Sequence, residues 1–140
     1  MSNSLKSRYL VVTEHMSNNE QLIRRLYDLF NARDIDGVLS NLDNNVAWAN
    51  GRGSTHVHGR EAVREYWTNK WLVINPRDDP VNLSTTADGS IVVKVHQIVH
   101  DLEGTLLLDE TVGHIFHVAG GQVKRFDILP GSHIHYFALS

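Results

Sequence analysis

Between residues 91 and 129, apolar and polar side chains alternate along three runs, and two glycine-bearing turns separate those runs. A period of two marks a strand that buries one of its faces. The turns are Leu102-Glu103-Gly104-Thr105 and Gly120-Gly121, each short enough to fold one run back along the last. The end of the chain is therefore read as an antiparallel meander. Everything upstream has to supply a cover for its buried face.

The upstream half reads mainly as helix. Ser17-Asn18-Asn19-Glu20 fits a capping box, and Leu22, Ile23, Leu26, Tyr27 and Phe30 follow at helical spacing. They predict a first helix over residues 18–32. A second, shorter helix over 34–42 turns Ile35, Val38 and Leu39 inward. Asp43-Asn44-Asn45 reads as a turn, because these side chains bond their own backbone. Residues 46–50 then form a short strand with Val46, Trp48 and Asn50 on one face. A loop over 51–54 leads to a third helix over 59–74, striped with Ala62, Val63, Tyr66, Trp67 and Trp71. Pro76 and Pro80 bracket a linker, and 81–86 is a weakly patterned strand. Helices followed by a strand meander define an α+β fold, with a curved antiparallel sheet and helices around one pocket.

Composition narrows the function classes. The 140 residues fit one domain and need no staples to bury a core. A net charge of −3 supplies no basic face for nucleic acid. Without cysteine, the chain offers no disulfide, thiolate nucleophile or cysteine–zinc site. No run approaches the ~20 apolar residues of a membrane span, and the apolar run at residues 9–12 is too short for a signal peptide. A cytoplasmic location is expected. Met1-Ser2-Asn3 recurs as Met16-Ser17-Asn18, which leaves open whether Met1 or Met16 is the native start. The division expected is a flexible extension over 1–16, a domain over 17–130 and a tail over 131–140.

Turn geometry sets strand registers, and registers decide which polar groups face inward. A two-residue loop at Glu103-Gly104 puts Gln97 opposite Glu110 and Val93 opposite His114, both on the apolar face. A two-residue loop at Gly120-Gly121 puts His114 opposite Asp127 on that same face, close enough for a His–carboxylate pair. A slip of one residue instead turns Phe126 and Ile128 inward and Asp127 outward. An inward pair suits proton transfer, with the carboxylate as base and the imidazole as its partner or as a donor to an oxyanion. The plain alternative is a structural hydrogen bond or a surface ion pair.

Three motifs then fall into a known order: Asp34-Ile35-Asp36-Gly37, His58-Gly59-Arg60-Glu61, and the ending Gly120-Gly121-Gln122-Val123-Lys124-Arg125-Phe126-Asp127. Over residues 17–130 the chain resembles the ketosteroid-isomerase-like superfamily, of the nuclear-transport-factor-2-like fold, and most of all its SnoaL-like branch. The resemblance implies a cone-shaped curved sheet closed by three N-terminal helices around a deep apolar pocket. It also implies a homodimer and chemistry without cofactor or metal. Asn50 stands where ketosteroid isomerases carry their catalytic aspartate, Leu26 where they carry the oxyanion tyrosine, and His114 where they carry the second oxyanion acid. With base and tyrosine both absent, steroid isomerase activity is not expected. The SnoaL-like cyclases fit better. Likeness to them assigns Asp127 as base, His114 as its neighbour and Asn50 as an orienting group. Trp48, Tyr27, Trp67 and Phe116 become pocket walls, with Gln97 and Glu110 as further polar groups at its mouth.

The leading expectation is thus an acid–base enzyme of the isomerase, cyclase or hydrolase type, acting on a small hydrophobic carbonyl or ring compound. Its rival is a non-catalytic module that binds an apolar ligand or dimerises, for which Asp127 points outward and His114 is merely hydrogen-bonded. The nine histidines include His56-Val57-His58, His133-Ile134-His135, and His96 with His100, but no third metal ligand is evident beside any of these pairs.

Overall fold

The structure is a computed structural model that describes residues 16–51 and 55–130. Residues 1–15 of the expected extension over 1–16, loop residues 52–54 and the tail with His133 and His135 lie outside the described residues. Helices α1 (Asn18–Asn31), α2 (Ile35–Ser40) and α3 (Arg60–Trp71) accompany six strands. These are β1 (Leu42–Ala49), β2 (His56–His58), β3 (Ile74–Thr85), β4 (Ile91–Asp101), β5 (Leu106–Ala119) and β6 (Gln122–Ile128). They build one curved, open sheet in the order β2-β1-β6-β5-β4-β3. The fold is mixed α+β. The sheet expected to be antiparallel throughout has one parallel pair, β1 with β6, because the first long strand and the last lie side by side running the same way.

The capping box forms as its sequence requires. Glu20 N–H donates to Ser17 Oγ at 3.0 Å, and Ser17 N–H donates to Glu20 Oε1 at 3.1 Å. The helix stops where Arg33 takes a left-handed φ of 63°, a conformation that costs a non-glycine residue about 1–2 kcal/mol. The Arg33 side chain offsets that cost. Its guanidinium donates to the Pro76 carbonyl at 2.7 Å and lies 5.1 Å over the Trp71 ring. Asp34 then caps α2 through the Gly37 N–H at 2.9 Å. A Cβ on Gly37 would stand 2.7 Å from Asp34 Oδ2 and 2.9 Å from Leu29 Cδ2, so any larger residue would push the capping carboxylate and Leu29 aside.

Three element boundaries differ from expectation. Asp43-Asn44-Asn45 does not break the chain; β1 already runs from Leu42, and these residues form a bulge between the Leu42–Val123 and Ala47–Arg125 pairs. Helix α3 ends at Trp71, and Ile74 starts a strand. The supposed linker between Pro76 and Pro80 is the first half of β3, a twelve-residue strand paired with β4 along its length. Proline is tolerated because β3 is an edge strand, and the backbone of Pro76, Asp78 and Pro80 faces away from β4.

The two hairpins of the meander part company in register. The first turn holds three residues rather than two, since Asp101 N–H donates to the Thr105 carbonyl. A bulge between Val99 and His100 restores the count, so Gln97 does face Glu110 and Val93 does face His114. In the second hairpin Ala119 faces Gln122 and Val118 faces Val123 as expected, but a bulge at Lys124 shifts everything beyond. His114 therefore faces Ile128, and Ile115 faces Asp127. The His114–Asp127 pairing is corrected: Phe126 and Ile128 point inward and Asp127 outward. The reason is hydrophobic, because an unshifted register would have exposed Phe126, now 5% exposed, to bury a carboxylate.

The inner face of the sheet packs Ile91, Val93, Val95, Val112, Phe116 and Val123 against Ile23, Leu26 and Phe30 of α1 and Val63 and Trp67 of α3. Burying each large apolar side chain stabilises the fold by roughly 1.5–3 kcal/mol.

Candidate functional site

Between the helices and the inner face lies a cavity, about 480 Å³ of empty space once the open solvent at its mouth is counted and far narrower inside. Its walls are mostly aromatic and apolar: Phe30, Trp48, Tyr66, Trp67, Phe116 and Phe126, with Leu26, Ala49 and Ile128. Four polar side chains enter it, Tyr27, Asp78, Gln97 and His114.

The polar groups form two pairs. Tyr27 Oη and His114 Nδ1 lie 2.7 Å apart, and the two rings are nearly parallel, at 3° and 6.0 Å between centroids. Burial pushes the His114 pKa down to about 3, so the imidazole is neutral. Burial, aided by the charge of Asp78, holds the Tyr27 hydroxyl well above its ordinary value and keeps it protonated. An Nδ1 that accepts from this hydroxyl leaves the imidazole proton on Nε2; an Nδ1–H that donates to it leaves Nε2 as an acceptor.

The second pair is Asp78 with Gln97, opposite each other on β3 and β4. Gln97 Nε2 donates to Asp78 Oδ1 at 3.0 Å. Burial lifts the Asp78 carboxyl to about 6; the Gln97 bond opposes this, neighbouring Asp79 adds to it, and Arg33 opposes it again. The backbone of Asp78 is clamped by one side chain. Its N–H donates to Asn31 Oδ1 at 2.9 Å, and its carbonyl accepts from Asn31 Nδ2 at 2.7 Å. Among the described residues Oδ2 has no hydrogen-bond partner. His114 faces Val93, four residues from Gln97 on β4, so the two polar ends stand roughly 13 Å apart along the sheet.

The expected site residues divide by place. Tyr27, Trp48, Trp67, Gln97, His114 and Phe116 border the cavity. Glu110 is half-buried and does not line it. Asn50, expected to orient substrate, lies at the end of β1 outside the lining. It accepts from Thr55 Oγ1 at 2.6 Å, and its carbonyl accepts from Tyr66 Oη at 2.7 Å. Asp127 stands on the other face of the sheet, with His56 Nε2 at 2.6 Å from Oδ1 and Arg125 Nε donating to Oδ2 at 2.7 Å. Partial burial works to raise its carboxyl, but the Arg125 and His56 bonds prevail and hold it below the usual range.

Asp78 was missed because prolines were read as a break. Continuing a period of two through Ile74, Pro76 and Asp78 would have placed it inward. Among the described residues no three histidines or carboxylates gather to hold a metal ion. No described helix is long and apolar enough to cross a membrane.

Comparison with known proteins agrees with this geometry. The family model of the SnoaL-like domain matches residues 23–126. An NTF2-like protein of unknown function from Burkholderia pseudomallei K96243 is 26% identical, with a TM-score of 0.71 over 81% of this chain and 91% of that one. TerC, co-crystallised with polyporic acid, is 23% identical, with a TM-score of 0.73 over 88% and 98%. A putative polyketide cyclase from Xanthomonas campestris pv. campestris is 20% identical, with a TM-score of 0.69 over 89% and 100%. No curated protein shows significant similarity to the chain.

Proposed function

The chain belongs to the SnoaL-like domain family, and from that premise we propose that it is a small-molecule enzyme of the isomerase or cyclase type with Asp78 as its acid–base group. One observation carries the reading. Asp78 is a buried carboxyl raised to about 6, with one oxygen unengaged among the described residues, in a mostly apolar cavity. Such a group is about nine-tenths ionised at pH 7 yet more basic than a solvated carboxylate, which suits proton abstraction beside a carbonyl.

In the step proposed, Asp78 Oδ2 takes a proton from carbon. The C–H electron pair moves into the carbonyl system, and charge gathers on the carbonyl oxygen. His114, held by Tyr27 roughly 13 Å along the sheet, is left to anchor the far end of the substrate rather than this oxygen. The aromatic walls keep water from the enolate. The proton then returns from Asp78 to a neighbouring carbon, or the enolate carbon attacks a second carbonyl of the same substrate, whose oxygen takes up the electron pair and the proton from Asp78. TerC was crystallised with polyporic acid, which supports a ring compound as the ligand of a fold like this one. A cone closed by the three helices, and a cytoplasmic homodimer, complete the reading; light scattering tests the dimer.

A non-catalytic ligand-binding module is the second reading, and it has its own support. The outward Asp127 and the His114–Tyr27 bond are what that reading expects. Deuterium exchange separates the two. Incubated in D₂O with 1-tetralone and watched by NMR, the enzyme exchanges the protons beside the carbonyl, and Asp78→Asn does not. A wild type that binds the ketone without exchanging it is a binding module.

A further inference from the structure

Gln97 is 3% exposed, and among the described residues its Oε1 has no hydrogen-bond partner, although its Nε2 is fixed on Asp78. A buried acceptor without a donor is costly, and a ligand or an ordered water normally supplies the donor. The amide cannot help itself by turning over, because that would set Oε1 against the ionised Asp78 and lose the bond at 3.0 Å. Asp78 Oδ2 and Gln97 Oε1 thus form a two-acceptor end to the cavity.

The charges around it have one sign. Tyr27 and His114 are uncharged, so Asp78 is the ionised side chain in the lining. The nearest cation, Arg33, is occupied outside the lining with the Pro76 carbonyl and the Trp71 ring. An anionic ligand would meet repulsion here and would leave Oε1 unpaired. At the same time, the indole nitrogens of Trp48 and Trp67, two wall residues, are buried donors without partners among the described residues. They ask for an acceptor on the ligand.

We propose that the substrate is an uncharged or cationic ring ketone bearing a hydroxyl or amino group on the reacting carbon, and that Gln97 Oε1 receives this group's hydrogen. The inference rests on the acid–base reading, since the carbon facing Asp78 fixes which neighbour meets Gln97. It adds the substrate class: α-hydroxy or α-amino ketones, with carboxylates excluded. Gln97 is then the residue that separates a donor-bearing substrate from its capped analogue.

Isothermal titration calorimetry tests this with 2-hydroxy-1-tetralone, its 2-methoxy ether and 1-naphthoate. The hydroxy ketone is expected to bind the wild type at least tenfold tighter than the ether, with no heat from 1-naphthoate. In Gln97→Met the hydroxy-to-methoxy ratio is expected to fall below twofold. A wild-type ratio below twofold, naphthoate binding as tightly as the hydroxy ketone, or a ratio unchanged in Gln97→Met overturns the proposal. The wild-type comparison decides even if the variant fails to fold. Binding needs no proton transfer, so a preserved ratio without deuterium exchange removes only the acid–base reading. Exchange without a ratio removes only this proposal.

Discussion

Two aspartates on opposite faces of the sheet show how surroundings assign a carboxylate its task. Asp127 has two cationic or proton-bearing neighbours, Arg125 and His56, and they hold its proton affinity down. Asp78 has an amide at one oxygen and aromatic walls around it, and burial pushes its affinity up to about 6. The first is a charged tie between β2 and β6. The second is the group able to trade a proton near neutral pH. Side-chain chemistry is the same in both; hydration and partners differ.

The largest difference should appear in turnover. Asp78→Asn is expected to lower the rate of α-proton exchange by about 10²–10⁴-fold, the range for a lost general base, while Asp127→Asn stays within about threefold. Equal losses would erase the distinction between the two carboxylates.

Stability should divide them in the other direction. The folded pKa of Asp78 lies above its unfolded value, so its charge opposes folding. That penalty is absent below about pH 4 and complete above about pH 6. Asp78→Asn is therefore expected to gain about 1–3 kcal/mol in urea melts at pH 8, and the gain should vanish by pH 4. His114 carries the opposite sign. Its folded pKa, near 3, is below its unfolded value, so stability is lost as pH falls from about 6.5 toward 3. Replacing it as His114→Phe should flatten this acid limb, by about 2 kcal/mol at pH 5 relative to pH 8. An unchanged acid limb would show that His114 titrates as if in water.

The smallest effect belongs to the outer pair. Asp127→Asn should cost about 0.5–1 kcal/mol at pH 7, and that cost should disappear as the pH falls through the lowered folded pKa of the carboxyl. A cost several times larger would mean that the tie to β2 is a main support of the sheet.

Much of this arrangement was readable from residue order. The capping box, the helical stripe of α1 and the alternation of β4 and β5 each depend on neighbours in sequence, and each formed in place. The inward positions of Gln97 and His114 were also legible, though by a cancellation. An extra residue in the first turn and a bulge at Val99 compensate each other. No such compensation follows Gly120-Gly121. The bulge at Lys124 depends on whether Phe126 or Asp127 is buried, a choice made by the whole core rather than by the turn. Asp78 stayed hidden for a similar reason. Proline ends a strand in the middle of a sheet but not at its edge, and edge position is settled only when all six strands have assembled.

That edge has one more consequence. An outermost strand normally offers a row of vacant amides to any other chain that can extend beside it. Along this stretch of β3 the offer is withdrawn. Pro76 and Pro80 have no amide hydrogen to give, Arg33 occupies the Pro76 carbonyl, and Asn31 occupies both groups of Asp78. The residues that hold the acid–base group in place thereby also deny a foothold to aggregation. A chain that relaxed this clamp to gain a more mobile cavity would lose its protected flank as well.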